Sequence, residues 1–412
     1  MTQLTDSLDT YARAAVTLHA NGDCVDDTKR TLDRFTDVRP TSVEFSWDSV
    51  SVLDDSGGLR VSDATSSGLN MARVVAVREA VESKRLSGDE LRAEVIRAGS
   101  LPPANWVLFL AANAVAALAL ALIFGLRHVP AGIEIVIAAA LGAIARRAVG
   151  KVGVGPVGQV FVAALIAGLL GSVAIALGFS SELRLVVVCP CMVLVPGPHI
   201  LNGTLDLIAL RVPLGLARLA FAGFIVVAIS AGLLIGLAVN GQSLPPSGPG
   251  REITVWLDVV AAAVAAVCFL VFFSAPLRMA GWAAGAGALA HGIRWYALTV
   301  LHLPLAVGAG VACLVVGILL VPLSRWKRLP FTAVGFAAVV AMAPGVYLFR
   351  TASALTSLAG QPAMPQPLVV AAVEDGMTAV LIILAMTAGL VIPLRVYGLI
   401  ENHQAVRHGS PR

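Results

Sequence analysis

The residues best able to do chemistry crowd into one stretch, Cys189-Pro-Cys-Met-Val-Leu-Val-Pro-Gly-Pro-His-Ile-Leu-Asn-Gly-Thr-Leu-Asp206, within an apolar part of the chain. Pro190, Pro196 and Pro198 remove backbone donors and clash with the preceding turn. Gly197 permits a turn that other residues make only at a cost. A helix through this stretch must therefore break. At membrane depth, a break survives only where protein or water satisfies the freed amides and carbonyls. Those groups suit the two ends of a zwitterion. Beyond the break, His199, Asn202, Gly203 and Asp206 recur at spacings of three and four. On a helix they share one face, bringing an imidazole, an amide and a carboxylate into line. The competing reading is that Asp206 and Arg211 mark the end of an apolar span.

A second break is expected in Ala343-Pro-Gly-Val-Tyr-Leu-Phe-Arg350, at Pro344 and Gly345, with Arg350 one to two turns further on. Ionisable groups inside a membrane are costly and point to function. Glu134, Asp258, Glu374 and Asp375 all fall in or near apolar runs. Adjacent carboxylates disfavour double ionisation, so Glu374 and Asp375 are candidates for carrying a proton, together with Asp206 and Glu134. The alternative leaves Glu374 and Asp375 in water at the start of a span. His291 with Arg294 reads as a helix end, and Asn113 and Gln159 as hydrogen bonds between helices. The five cysteines are scattered, and Cys189-Pro190-Cys191 matches no metal or redox spacing, so neither a metal nor a cofactor is expected.

The elements that must hold these groups are membrane helices. The chain has 412 residues, of which 58% are hydrophobic and 13% charged. Soluble chains carry nearer about 25% charged residues, so much of this surface must face lipid. The net charge of +4 is small and dispersed, which argues against nucleic acid. Apolar runs cover 104–126, 131–149, 156–178, 183–210 (broken), 212–238, 253–274, 277–298, 303–323, 329–349 and 368–394. The fold class expected is mainly α, a polytopic protein with about ten transmembrane helices. The expected domains are 1–102, a small α+β unit; 103–240, a first five-helix half; 241–252, a linker; 253–400, a second half; and 401–412, a tail.

Residues 1–20 lack a basic stretch followed by an apolar run, so no cleavable leader is expected. Helices are expected from Leu4 to Ala20, from Val25 to Phe35 and from Asn70 to Lys84. Strands are expected at Ser42–Trp47, Val50–Leu53 and from Leu59, with a hairpin turn at Asp54–Gly58. Ser87 and Glu90 form a capping box opening a further helix that ends at Gly99. Basic residues concentrate in loops such as Arg146-Arg147…Lys151 and Arg325…Lys327-Arg328, placing both termini in the cytoplasm of a cell membrane.

The two halves are alike. Each carries a Pro-Gly late in its fourth span, then a short polar stretch and a long final helix. That helix reads Ile229-Ser-Ala-Gly-Leu233 in one half and Met386-Thr-Ala-Gly-Leu390 in the other. Five helices per half reverse the direction of entry, so the repeat must be inverted, as in many secondary transporters. Aligning these segments puts Arg218 opposite Asp375, which suggests an ion pair across the repeat axis.

These residues resemble the threonine/serine exporter family. Gly22-Asp-Cys-Val-Asp-Asp-Thr28 resembles its Gly-x-x-Val-x-Asp stretch. Val195-Pro-Gly-Pro-His-Ile-Leu-Asn-Gly-Thr-Leu-Asp206 resembles its Val-Pro-Gly…Asn-x-x-x-Asp motif, and Pro344-Gly…Tyr347…Arg350 its Pro-Gly…Tyr-Arg stretch. The resemblance covers residues 4–240 and 253–400. It implies a secondary exporter of threonine and serine, driven by the proton gradient. The partners expected for the chain are a small amino acid, protons, the lipid bilayer and further copies of itself as a homo-oligomer. Pro196, Gly197, His199, Asn202, Asp206, Pro344, Gly345 and Arg350 are its expected substrate site. The rival substrate is a C4 dicarboxylate, which would need cations such as Arg218 and Arg350. A membrane-embedded aspartyl enzyme would carry Gly-x-Gly-Asp, which the chain lacks, so no enzyme activity is expected; a sensor would need residues 1–100 to act alone.

Overall fold

The computed structural model describes residues 2–35, 40–55, 57–65, 68–83, 86, 88–179, 184–245, 253–327, 329–359 and 365–407. The Ser87 cap, Arg328, most of the expected 241–252 linker and the last five residues lie outside these. The chain divides into two compact units. The first holds Met1–Asn105, Pro198–Phe221 and Leu270–Met279; the second holds Trp106–Gly197, Ala222–Phe269 and Ala280–Arg412.

The first unit is α+β. Helices α1 (Thr2–Ala20) and α2 (Val25–Leu32) precede strands β1 (Ser42–Phe45), β2 (Ser49–Leu53) and β3 (Leu59–Asp63), followed by α3 (Met71–Glu82) and α4 (Gly88–Gly99). The strands form an antiparallel sheet in the order β1-β2-β3, with Val43 opposite Val52 and Ser51 opposite Val61. Alternation buries Val50 and Val52 on the face that meets α1. Leu18, Val25, Met71, Val74 and Val77 complete the core. The expected hairpin forms, with the Gly58 amide donating to Asp54 Oδ1 at 2.6 Å.

The remaining elements are helical: α5 (Trp106–Ile123), α6 (Val129–Lys151), α7 (Pro156–Ala176), α8 (Leu185–Met192), α9 (Gly197–Ile208), α10 (Val212–Ala238), α11 (Val255–Phe272), α12 (Ala280–Thr299), α13 (Leu305–Lys327), α14 (Phe331–Val339), α15 (Gly345–Ala359) and α16 (Gln366–Arg407). Among the described residues, seven of these helices are long and apolar enough to cross a membrane, and nine spans result if each bent pair counts as one. The chain is thus a polytopic membrane protein. The expected span at 277–298 is the 20-residue α12, whose glycines, His291 and Arg294 keep it out of that apolar set. Helix α16 runs on to Arg407, into the expected tail.

Both expected breaks are present. Helices α8 and α9 meet at 55°, and α14 with its following turn meets α15 at 52°. In each, Pro-Gly interrupts the ladder where the proline ring cannot continue it. The breaks pack directly on one another: a Cβ on Gly345 would lie 3.1 Å from Met192 Cγ, and one on Gly197 3.1 Å from Val340 Cγ2. The side chains of Met192 and Val340 fill these contacts, so the two turns meet through apolar packing.

Small residues set the helix crossings. A Cβ on Gly232 of α10 would strike the carbonyl oxygen of Phe161 in α7, and one on Gly236 would lie 2.6 Å from the Leu165 oxygen. Such contacts let backbones approach closely, which drives association where lipid offers no hydrophobic force. Gly232→Ala should cost about 1–3 kcal/mol through overpacking. Gly223 of the same helix has nothing within 4 Å of such a Cβ. Gly223→Ala should therefore be neutral or stabilising by up to about 1 kcal/mol. Thermal melting of both variants in detergent checks the contrast.

Candidate functional site

The first unit holds a chain of charges around α9. Asp206 is 1% exposed and accepts from two guanidiniums, Arg218 at 2.7 Å and Arg211 at 2.9 Å. Arg211 also donates to Asp26 at 2.8 Å, and Arg218 lies 3.3 Å from His19 Nδ1. Burial and the Arg218 charge hold His19 down to about 4, so its ring is neutral at physiological pH. The Asn202 amide donates to the Gly22 carbonyl at 3.0 Å. His199 meets Phe221 edge to face and lies tilted against Trp47. The expected shared face of α9 therefore exists, but its partners are protein groups. His199 and Asn202 border a pocket of only 20 Å³. The Gly22–Thr28 and Val195–Asp206 segments, remote in sequence, meet here, because Arg211 and Asn202 bind the loop and helix start after α1.

A second charged cluster lies behind it. Arg78 donates to Asp23 at 2.6 and 2.8 Å and sits 3.3 Å from Asp27. Ligand atoms of Asp23, Cys24 and Asp27 lie within 4.8 Å of one another, close enough for a cation. Arg78 and Arg30 together supply the two positive charges that these carboxylates need, Arg30 pairing with Asp27, so this geometry serves the fold of the unit.

The second unit contains a cavity of 940 Å³. Its wall includes the second break, Ala341 to Pro344, with Tyr347 and Arg350 of α15. Thr254 and Asp258 come from the start of α11, Arg294 and Trp295 from α12, and Arg127 from the turn between α5 and α6. Of the expected site residues, Pro344 and Arg350 line it. Gly345 packs behind against Met192. Pro196 and Gly197 are likewise committed to the packed break, and Glu134 is half-buried in α6.

Asp375 is buried and pairs with Arg350 Nε at 3.0 Å, whereas Glu374 is exposed. Neighbouring helix positions point about 100° apart, so the two carboxylates do not share one environment. Arg218, expected to face Asp375, pairs within the first unit with Asp206, and Asp375 pairs within the second with Arg350. Each half instead pairs the helix after its break with its own final helix: Asp206 with Arg218, and Arg350 with Asp375. The polarity is swapped between halves.

Asp258, singled out in the sequence as an ionisable group near an apolar run, lines the cavity with Arg294, and His291 stands behind it; the roles of His291 and Arg294 went unrecognised. Asp258 is 2% exposed and its Oδ1 lies 3.2 Å from Nδ1 of His291, which is fully buried. Arg294 is 8% exposed, and its Nε has no hydrogen-bond partner among the described residues. His291 and Arg294 sit well inside α12, one turn apart, so they do not mark its end. Their position in an apolar helix was the available signal.

The comparisons with known proteins agree with this architecture. One family model, for threonine/serine exporters, matches residues 9–240, more than half the chain. The chain belongs to the threonine/serine exporter family. A second model, described as "Threonine/Serine exporter, ThrE", matches residues 258–396, so the two matches cover the two halves in order. No solved structure matches this family member.

Proposed function

We propose that the protein exports threonine and serine across the cell membrane in exchange for protons, and that the 940 Å³ cavity beside the second break holds the substrate. One observation carries this reading: cationic Arg294 and anionic Asp258 line the same cavity against interrupted backbone. A zwitterion needs both signs of charge, and charge-assisted hydrogen bonds to each end orient it. Arg294 takes the carboxylate. Arg350, held by Asp375, sets the charge at the mouth of the break. Thr254 and Tyr347 are within the same wall and suit a side-chain hydroxyl. The Asp206 cluster, saturated by arginines, holds α9 in place.

The same reading takes the membrane part as ten spans in two inverted five-helix halves, with both termini cytoplasmic. Its support is the equivalence of contacts. Gly232 on the last helix of one half meets the third helix, α7, at Phe161. Gly389 on α16 meets the third helix of the other half, α13, with a Cβ 2.5 Å from the Gly310 oxygen. Arg218 and Asp375 stand at matching distances before these glycines. In that orientation the cavity opens outward.

Proteoliposomes loaded with threonine or serine test the proposal. Efflux should exceed that from protein-free vesicles and accelerate when the outer solution is acidified. Equal efflux with and without protein, for both amino acids, would sink it; succinate loading tells a dicarboxylate carrier apart.

A further inference from the structure

Resting on that reading, we infer that Asp258 is the group at which proton and substrate exclude each other, with His291 positioning it from behind. The carboxylate stands between two environments. It lines the cavity, together with Arg294, while His291 does not and is fully enclosed. The 3.2 Å contact to His291 Nδ1 fixes one oxygen of the carboxylate. Asp258 and His291 belong to different helices, α11 and α12, so their contact ties the cavity wall to the packing of the pair.

Two occupants suit that carboxylate, a proton or the ammonium of an amino acid. They cannot bind together, because a protonated carboxyl offers no charge to an ammonium. With Arg294 holding the substrate carboxylate, the ammonium meets Asp258 and its proton leaves to cavity water. After substrate release, a proton from water returns to the Asp258–His291 pair. One proton therefore moves against one zwitterion, and the ligand-bound site keeps one negative and one positive side chain. Carboxylate and imidazole lie within one hydrogen bond of each other, so a proton on either changes the field at the other. The other ionisable groups facing the pair are Arg294 from α12, Tyr347 and Arg350 from α15, Arg127 from the turn after α5, and Cys313 of α13 beside Arg294. The arginines stay cationic throughout the working pH range.

The full-length protein in weakly buffered detergent solution, with a pH indicator, reports the exchange when threonine is added. The wild type should release about one proton per threonine bound under conditions where the pair starts protonated. Asp258→Asn should release none, and its efflux from proteoliposomes should no longer respond to external acid. His291→Gln keeps an amide donor toward Asp258; it should shift the pH profile of efflux while leaving half-saturation within about twofold. Proton release from Asp258→Asn equal to the wild type overturns the inference. So does an unshifted pH profile in His291→Gln, and this second variant decides alone if Asp258→Asn fails to fold. Absence of any threonine efflux from the wild type instead defeats the exporter reading itself.

Discussion

Replacing Arg294 by methionine should raise the threonine concentration for half-maximal efflux by about 10- to 150-fold. Hydrogen bonds to a charged group contribute about 1.5–3 kcal/mol, and each 1.4 kcal/mol is about tenfold in affinity. The guanidinium is 8% exposed, and its Nε has no hydrogen-bond partner among the described residues. It is therefore ready to receive a carboxylate without first breaking an Nε bond. Methionine keeps much of the volume and removes the charge. Arg294→Lys keeps the charge but loses the planar fork, so its defect should be intermediate. Initial efflux rates over a range of internal threonine concentrations separate the three proteins. An unchanged half-saturation in Arg294→Met would remove this residue from the substrate site.

Arg78→Met should destabilise the first unit by about 3–5 kcal/mol at neutral pH, the cost of leaving a buried charge without its partner. Asp23 is fully buried and Asp27 is 5% exposed, so the loss affects two carboxylates. Burial already pushes the Asp23 carboxyl above its usual 3.8, and the Arg78 guanidinium pulls it back. Without Arg78 the shift grows. A raised folded-state pKa means the penalty is absent below 3.8, builds as pH rises toward the raised value, and is constant above it. The variant should thus approach wild-type stability in acid and fall away toward neutrality. Hydrogen exchange over α1, α3 and α4 at several pH values measures this. A penalty independent of pH would show that lost packing, and not the unpaired buried charge, dominates.

Much of the architecture was legible in the chain because bilayer helices announce themselves. Apolar runs of span length, broken by Pro196-Gly197 and Pro344-Gly345, located the bends that the structure shows at 55° and 52°. Alternation and the Asp54–Gly58 turn located the three strands. These are local effects: a proline ring, a strand period and a hydrocarbon thickness act within a few residues. His291 and Arg294 were misread for a local reason too, since a histidine and an arginine near the end of an apolar run look the same whether they exit the membrane or turn inward.

Apolar runs and prolines in the chain by themselves determined that this protein lives in a bilayer and which two of its helices must break at Pro-Gly. Tertiary structure decided which charges meet. Asp206 found Arg218 and Arg211 rather than open water, Asp375 found Arg350 rather than the other half, and Asp258 found His291 on the neighbouring helix. Pairing of this kind depends on how helices rotate about their axes and how closely glycines such as Gly232 and Gly389 let them approach. Those rotations arise from packing between segments distant in sequence, which no single segment encodes.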